Sequence, residues 1–211
     1  GMLEKLAVNL LAGVPAIVKP ASQTAYLTEA VFRDMVASGI FPEGSFQLIC
    51  GSVGDTFEHL TGQDLVTFTG SASTGQKLKS HPVIIRNSVR FTMEADSLNC
   101  SILGPDAVPG TPEFDLYVKE VVKEMTTKCG QKCTAIRRAF VPRTQLDAVT
   151  EALKARLAKV VVGDPSVEGV TMGALASLGQ RDEVLKAVGR LREVAELVFG
   201  NPQDLQVKGG D

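Results

Sequence analysis

The sequence predicts an α/β protein: a parallel sheet within residues 1–100, then the beginning of a second α/β domain over 101–211. Three observations predict it. Short apolar strands alternate with helix-length segments through the first half. The spacing between those strands suits helical crossovers, which parallel neighbours require. After the strand LNCSILG, the turn-rich stretch GPDAVPGTPEF and a long amphipathic segment begin a new α/β run, so the boundary is expected near Asn99–Asp106.

The elements follow in order. LEKLAVNLLAG reads as a helix closed by Gly13, leading into the strand PAIVKP. A helix from about Thr24 to Ser38 stops at Gly39. The strand SFQLICG, a short helix near Asp55–Leu60, and the strand LVTFTG come next. A helix from about Thr74 to Ser80 leads to the strand VRFTMEA. In the second half, Pro112 to about Lys128 is a long helix with Phe114, Val118, Val121, Val122 and Met125 on one face. RRAFVP is a strand ended by Pro142, and Thr144 caps the amphipathic helix TQLDAVTEALKARLAKV. GDPSVEGVTMGAL is a loop before a final helix from Gln180 to about Val198.

Composition narrows the function classes. Lys plus Arg number 22 against 24 Asp plus Glu, a net charge of −2 without a basic block, so nucleic acid is a poor partner. No apolar run approaches a membrane span. The opening GMLEKLAVNLLAGVPAIV has the outline of a signal peptide, but Asn9 interrupts it, no small-x-small site follows, and it runs into a strand. Four cysteines, at 50, 100, 129 and 133, without a secretory signal make no disulfide framework, and the cytoplasm is the expected compartment. No metal site is expected: there is no CxxC, and His59 and His81 lie far from the cysteine pair.

Four short motifs carry chemistry, and each also has a plainer explanation. In FTGSASTG, Phe68 to Gly75, a strand gives way to a helix whose first N–H groups suit a phosphate. Gly70 and Gly75 allow close backbone approach and Ser71 offers a hydroxyl, though an ordinary capping loop uses the same residues. In VKPAS, Lys19 stands at the carboxyl end of a parallel strand, where open α/β sheets bind ligands; a solvated surface lysine sits there equally well. In FTMEADSLN, Glu94 ends an apolar strand, where burial would raise its pKa toward that of a general base; Asp96 is a rival, and both are otherwise loop carboxylates. In TTKCGQKCTAIRR, a turn at Gly130 presents Cys133, whose thiolate fraction a cationic setting from Lys132, Arg137 and Arg138 would raise. Cys129, within the helix, reads as a packed core residue.

Taken together and in order, Lys19 in VKP, Gly70-Ser71 with Gly75 after FTG, Glu94 at a strand end and Gly130-Gln131-Lys132-Cys133 resemble the aldehyde dehydrogenase superfamily. The resemblance implies a Rossmann-like sheet: 1–100 as the latter part of an NAD(P)-binding domain, 101–211 as the first part of a catalytic domain. It also implies Cys133 as nucleophile, Glu94 as base, and Lys19, Ser22, Gly70, Ser71 and Gly75 as cofactor-binding residues. Where most members have Glu-Leu-Gly-Gly, this chain has Glu94-Ala95-Asp96-Ser97. That departure resembles a branch acting on CoA-linked semialdehydes in aerobic aromatic degradation, including bifunctional proteins of phenylacetate catabolism that add a ring-opening hydratase, and the benzoyl-CoA-pathway enzymes. Ser22, three residues after Lys19, replaces the glutamate of many NAD-preferring members, so NADP is expected, with NAD possible. By the same resemblance the chain is a central piece of a homo-oligomeric enzyme and is expected to be inactive alone. Two alternatives stand beside this reading: a CoA-acylating dehydrogenase, and a non-catalytic nucleotide-binding module with a Cys129–Cys133 redox switch.

Overall fold

A computed structural model describes residues 2–210 and divides them into two compact units, 2–95 and 96–210.

In the first unit, α1 (Met2–Leu11) ends in a left-handed turn at Gly13, whose φ of 71° a side-chain-bearing residue adopts only at a cost. β1 (Ala16–Val18) pairs in parallel with β2 (Phe46–Leu48) through the crossover α2 (Ala25–Ala37). β3 (Leu65–Gly70) pairs in parallel with β4 (Arg90–Ala95), the connection holding α3 (Ala72–Lys79) and the one-turn α4 (Pro82–Arg86). Leu6, Phe46, Val83, Ile84 and Val89 are buried, and the Phe32 and Phe41 rings meet Phe46 edge-on. The parallel strands agree with expectation, but they form separate two-stranded ladders; among the described residues no hydrogen bond joins one ladder to the other. The missed element, α4, is a single Pro-initiated turn, too short for a periodic signal.

In the second unit, β5 (Cys100–Ile102) pairs in parallel with β6 (Arg138–Phe140), and α5 (Pro112–Thr126) packs on α6 (Leu146–Leu157). The start of α5 is chemically well marked. Thr111 Oγ1 accepts the Phe114 N–H at 3.3 Å, Pro112 opens the first turn, and Glu113 and Asp115 face the positive end of the helix dipole. Phe114, Tyr117, Val118 and Val121 are buried with Leu103, Ala107 and Val149. The Tyr117 hydroxyl donates to Phe140 O at 3.3 Å, tying α5 to β6.

Two expectations are corrected here. Met125 shares the α5 stripe in sequence but is 46% exposed. Thr144 does not cap α6: residues Arg143–Gln145 form a 3-10 turn, and the buried Gln145 donates to Pro105 O at 3.1 Å instead. α7 (Leu178–Arg192), capped by Ser177, begins two residues before the expected start.

Truncating Phe114 to alanine should cost about 3–5 kcal/mol of unfolding free energy, against under about 1 kcal/mol for Met125→Ala. Urea unfolding of the two variants measures the difference, and equal losses would contradict this account of the core.

Candidate active site

The second unit carries the segment with Cys129 and Cys133 where α5 ends. Lys128 and Cys129 take φ of 52° and 55°, and Gly130 follows at 69°. Left-handed backbone costs a non-glycine residue about 1–2 kcal/mol, so two such residues persist only where surrounding contacts hold them. Those contacts are specific. The Cys129 thiol donates to Gly173 O at 2.7 Å. The Gln131 side chain donates to Lys128 O and accepts the Ala176 N–H, each at 3.0 Å. Lys132 N–H bonds to Gly130 O at 2.9 Å, and Lys132 Nζ reaches Glu124 Oε1 on α5 at 2.7 Å.

The turn separates two cysteines that sequence places four apart. Cys129 is half-buried, and burial pushes its thiol pKa up, so it stays a neutral donor. Its position outside helical geometry corrects the expectation of a helical core cysteine. Cys133 is exposed, and its backbone N–H donates to nothing among the described residues. An exposed sulfur beside an unengaged amide is what attack on a carbonyl needs: a nucleophile, and a donor for the oxyanion it creates.

The neighbouring cations have partners of their own. Lys132 is paired with Glu124, Arg137 Nη2 donates to Lys132 O at 3.1 Å, and Arg138 donates to Leu98 O while lying 5.8 Å from the Phe140 ring centre. All three hold the segment's shape. Asn99, which sequence reading left unmarked, donates to Cys133 O at 2.5 Å and Ala135 O at 3.2 Å.

The first unit carries the remaining candidates. Lys19 follows β1 and is exposed, with no hydrogen bond or ion pair among the described residues; Ser22 opens a 3-10 turn just beyond it and is also exposed. Gly70, Ser71 and Glu94 lie together at the carboxyl ends of paired β3 and β4, since Thr69 pairs with Glu94 and Gly70 with Ala95. Ser71 caps α3, accepting the Thr74 N–H at 3.3 Å and donating to Thr74 Oγ1 at 2.9 Å. Gly75 is buried, and a Cβ there would run into Met93 Sδ and sit 3.2 Å from the Phe68 ring. Its missing side chain therefore lets α3 lie close on β3 and β4.

Glu94 departs most from expectation. Its side chain is 60% exposed, and Lys5 of α1 donates to it at 2.5 Å. That hydrogen bond and charge hold its pKa below the usual glutamate value, opposite to the upward shift burial would bring. Asp96, the rival carboxylate, is exposed in the second unit with φ at 48°.

Residues 2–210 match the aldehyde dehydrogenase family. The chain belongs to that family. It is 47% identical over its whole length to a 3,4-dehydroadipyl-CoA semialdehyde dehydrogenase of Aromatoleum evansii, covering 41% of that protein. An oxidoreductase structure from Marinobacter aquaeolei matches with a TM-score of 0.84 at 26% identity, over 97% of this chain and 42% of the other. A cysteine-to-alanine variant of aldehyde dehydrogenase C from Pseudomonas syringae, in complex with NAD+ and octanal, matches with a TM-score of 0.82 at 27% identity, over 95% of this chain and 41% of the other. The chain thus spans about two fifths of the aldehyde dehydrogenases it matches. These neighbours agree with the α/β expectation.

For this aldehyde dehydrogenase chain, Lys5→Met should return the Glu94 carboxyl to the ordinary glutamate range, as read by NMR titration. The folded value lies below the unfolded one, so the Lys5–Glu94 contact adds stability above the ordinary carboxylate range and loses it as pH falls through the folded value. An unchanged Glu94 titration in Lys5→Met would contradict the assignment.

Proposed function

We propose that the chain supplies cofactor-binding and nucleophile-bearing parts of an NADP-dependent aldehyde dehydrogenase oxidising a CoA-linked semialdehyde to its acid. Aerobic phenylacetate degradation is the favoured setting, in a bifunctional parent. The observation that carries the chemistry is Cys133, exposed on a held turn with its N–H unengaged. The substrate class rests on the relative from Aromatoleum evansii, whose name specifies a CoA-linked semialdehyde.

In this reading residues 1–95 belong to the nucleotide-binding domain and 96–211 open the catalytic domain. Cys133 thiolate attacks the aldehyde carbon, forming a C–S bond, and the carbonyl electrons move onto oxygen, to which the Cys133 N–H donates a hydrogen bond. A nicotinamide nucleotide, when bound, would supply the hydride acceptor. Loss of hydride from the carbon leaves an acyl thioester on Cys133. Glu94 takes a proton from water, whose oxygen displaces the sulfur and releases the acid. Glu94 is ionised as this step requires, but its contact with Lys5 makes it a weaker base until that contact opens.

The residues present fit a nicotinamide nucleotide. Lys19 is exposed and unpaired at a strand's carboxyl end, and the Ser71–Thr74 turn opens a helix packed closely through Gly75. Lys19 and Ser22 would meet a ribose 2′-phosphate. A carboxylate about 4 Å from that phosphate would oppose it by roughly 4 kcal/mol per unit charge at an effective dielectric near 20, and Ser22 brings none.

Iodoacetamide should modify Cys133 at least about tenfold faster than Cys129, as mapped by peptide mass spectrometry. Equal labelling would favour the redox-switch alternative. Ser22→Glu should weaken NADP binding at least about tenfold while leaving NAD nearly unchanged in fluorescence titrations. A parent chain that binds NAD more tightly than NADP would refute the NADP preference.

A further inference from the structure

Two peptide units flank the Cα of Cys133, and the structure holds both by their carbonyls. The Lys132–Cys133 unit carries Lys132 O, which accepts from Arg137 Nη2 at 3.1 Å and from the Ala135 N–H at 3.2 Å. The Cys133–Thr134 unit carries Cys133 O, which accepts from Asn99 Nδ2 at 2.5 Å. The clamp also closes on itself: Asn99 O accepts the Arg137 and Arg138 N–H groups at 2.9 and 3.1 Å. Asn99 therefore grips the segment through side chain and backbone, and Arg137 is anchored by its backbone while its guanidinium reaches back.

The geometry points to Arg137 and Asn99 as positioning residues that aim the Cys133 N–H at the oxyanion. A peptide unit is planar and trans, so Lys132 O and the Cys133 N–H lie in one plane and point oppositely. Fixing the carbonyl with a guanidinium fixes the direction of the N–H on the other side. Asn99 fixes the next plane, which removes the remaining backbone freedom on the far side of the cysteine Cα. The N–H itself stays unengaged, as a preorganised donor must. Accepting charge-assisted hydrogen bonds also draws electron density toward Lys132 O and makes that N–H a better donor. The inference rests on Cys133 being the nucleophile and adds two residues that touch neither substrate nor cofactor.

The test compares two reactions at the same sulfur in the full chain. Acylation by p-nitrophenyl acetate forms an S–C bond, places the carbonyl electrons on oxygen, and expels p-nitrophenolate, so it needs an oxyanion donor. Alkylation by iodoacetamide displaces iodide at a saturated carbon and forms no oxyanion. Both are followed at Cys133 by peptide mass spectrometry. Arg137→Ala and Asn99→Asp should slow acylation at least about tenfold and leave alkylation within about twofold. Arg137→Lys, which keeps a donor on an exposed side chain, should stay within about threefold of the parent in acylation, and the arginine pair decides the matter if Asn99→Asp fails to fold. Acylation unchanged in Arg137→Ala, or acylation and alkylation falling together, would overturn the positioning role while leaving the nucleophile in place. Acylation of the parent chain no faster at Cys133 than at exposed Cys100 would overturn the nucleophile itself, and this inference with it.

Discussion

The second unit turns on one constraint: the chain must leave α5 through three consecutive left-handed residues to bring Cys133 to the surface. Lys128 and Cys129 resist that conformation, so each contact around the turn does structural service. Cys129 binds Gly173 O, Gln131 binds Lys128 and the Ala176 N–H, and Lys132 is held by Glu124. The Lys132–Glu124 pair is largely buried, with side-chain exposures of 19% and 16%, and Glu124 Oε2 has no partner. Breaking a buried pair strands a charge, which makes the pair a strong determinant of where the loop lies. The two sulfurs consequently have different chemical lives, one a neutral half-buried donor and the other open to solvent.

In the first unit, glycine and serine do more packing than their motif suggests. Gly75 admits Met93 and Phe68, and the Ser71 hydroxyl is occupied with Thr74. Glu94 shows the same lesson with opposite sign. A strand-terminal position suggested a buried, poorly ionised acid, whereas an exposed carboxylate held by Lys5 is ionised and weakly basic. Any base role for Glu94 would be weakened while Lys5 of α1 holds it.

Local signals explain what could be read from the sequence. Gly13 and Gly39 stop α1 and α2, Thr111-Pro112 begins α5, and β-rich runs mark every strand. Tertiary partners left no such trace. Asn99 lies 34 residues from Cys133, and Lys5 lies 89 from Glu94, distances at which a single sequence contains no pairing signal. Met125 was misread because an apolar stripe specifies a helix face without saying how far its cover extends. Thr144 was misread because a preferred capping residue competes with a 3-10 turn that places buried Gln145 against Pro105. The left-handed pair at 128 and 129 had no glycine or asparagine to announce it; only Gly130 did.

Amide hydrogen exchange across residues 127–138 addresses the central claim most directly, because it reads the held turn and the unengaged Cys133 donor together. The account predicts slow exchange at Gln131, Ala135, Arg137 and Arg138, whose N–H groups are bonded, and fast exchange at Cys133. Protection of Cys133 equal to that of Ala135 and Arg137, or uniformly fast exchange along the whole segment, would contradict it.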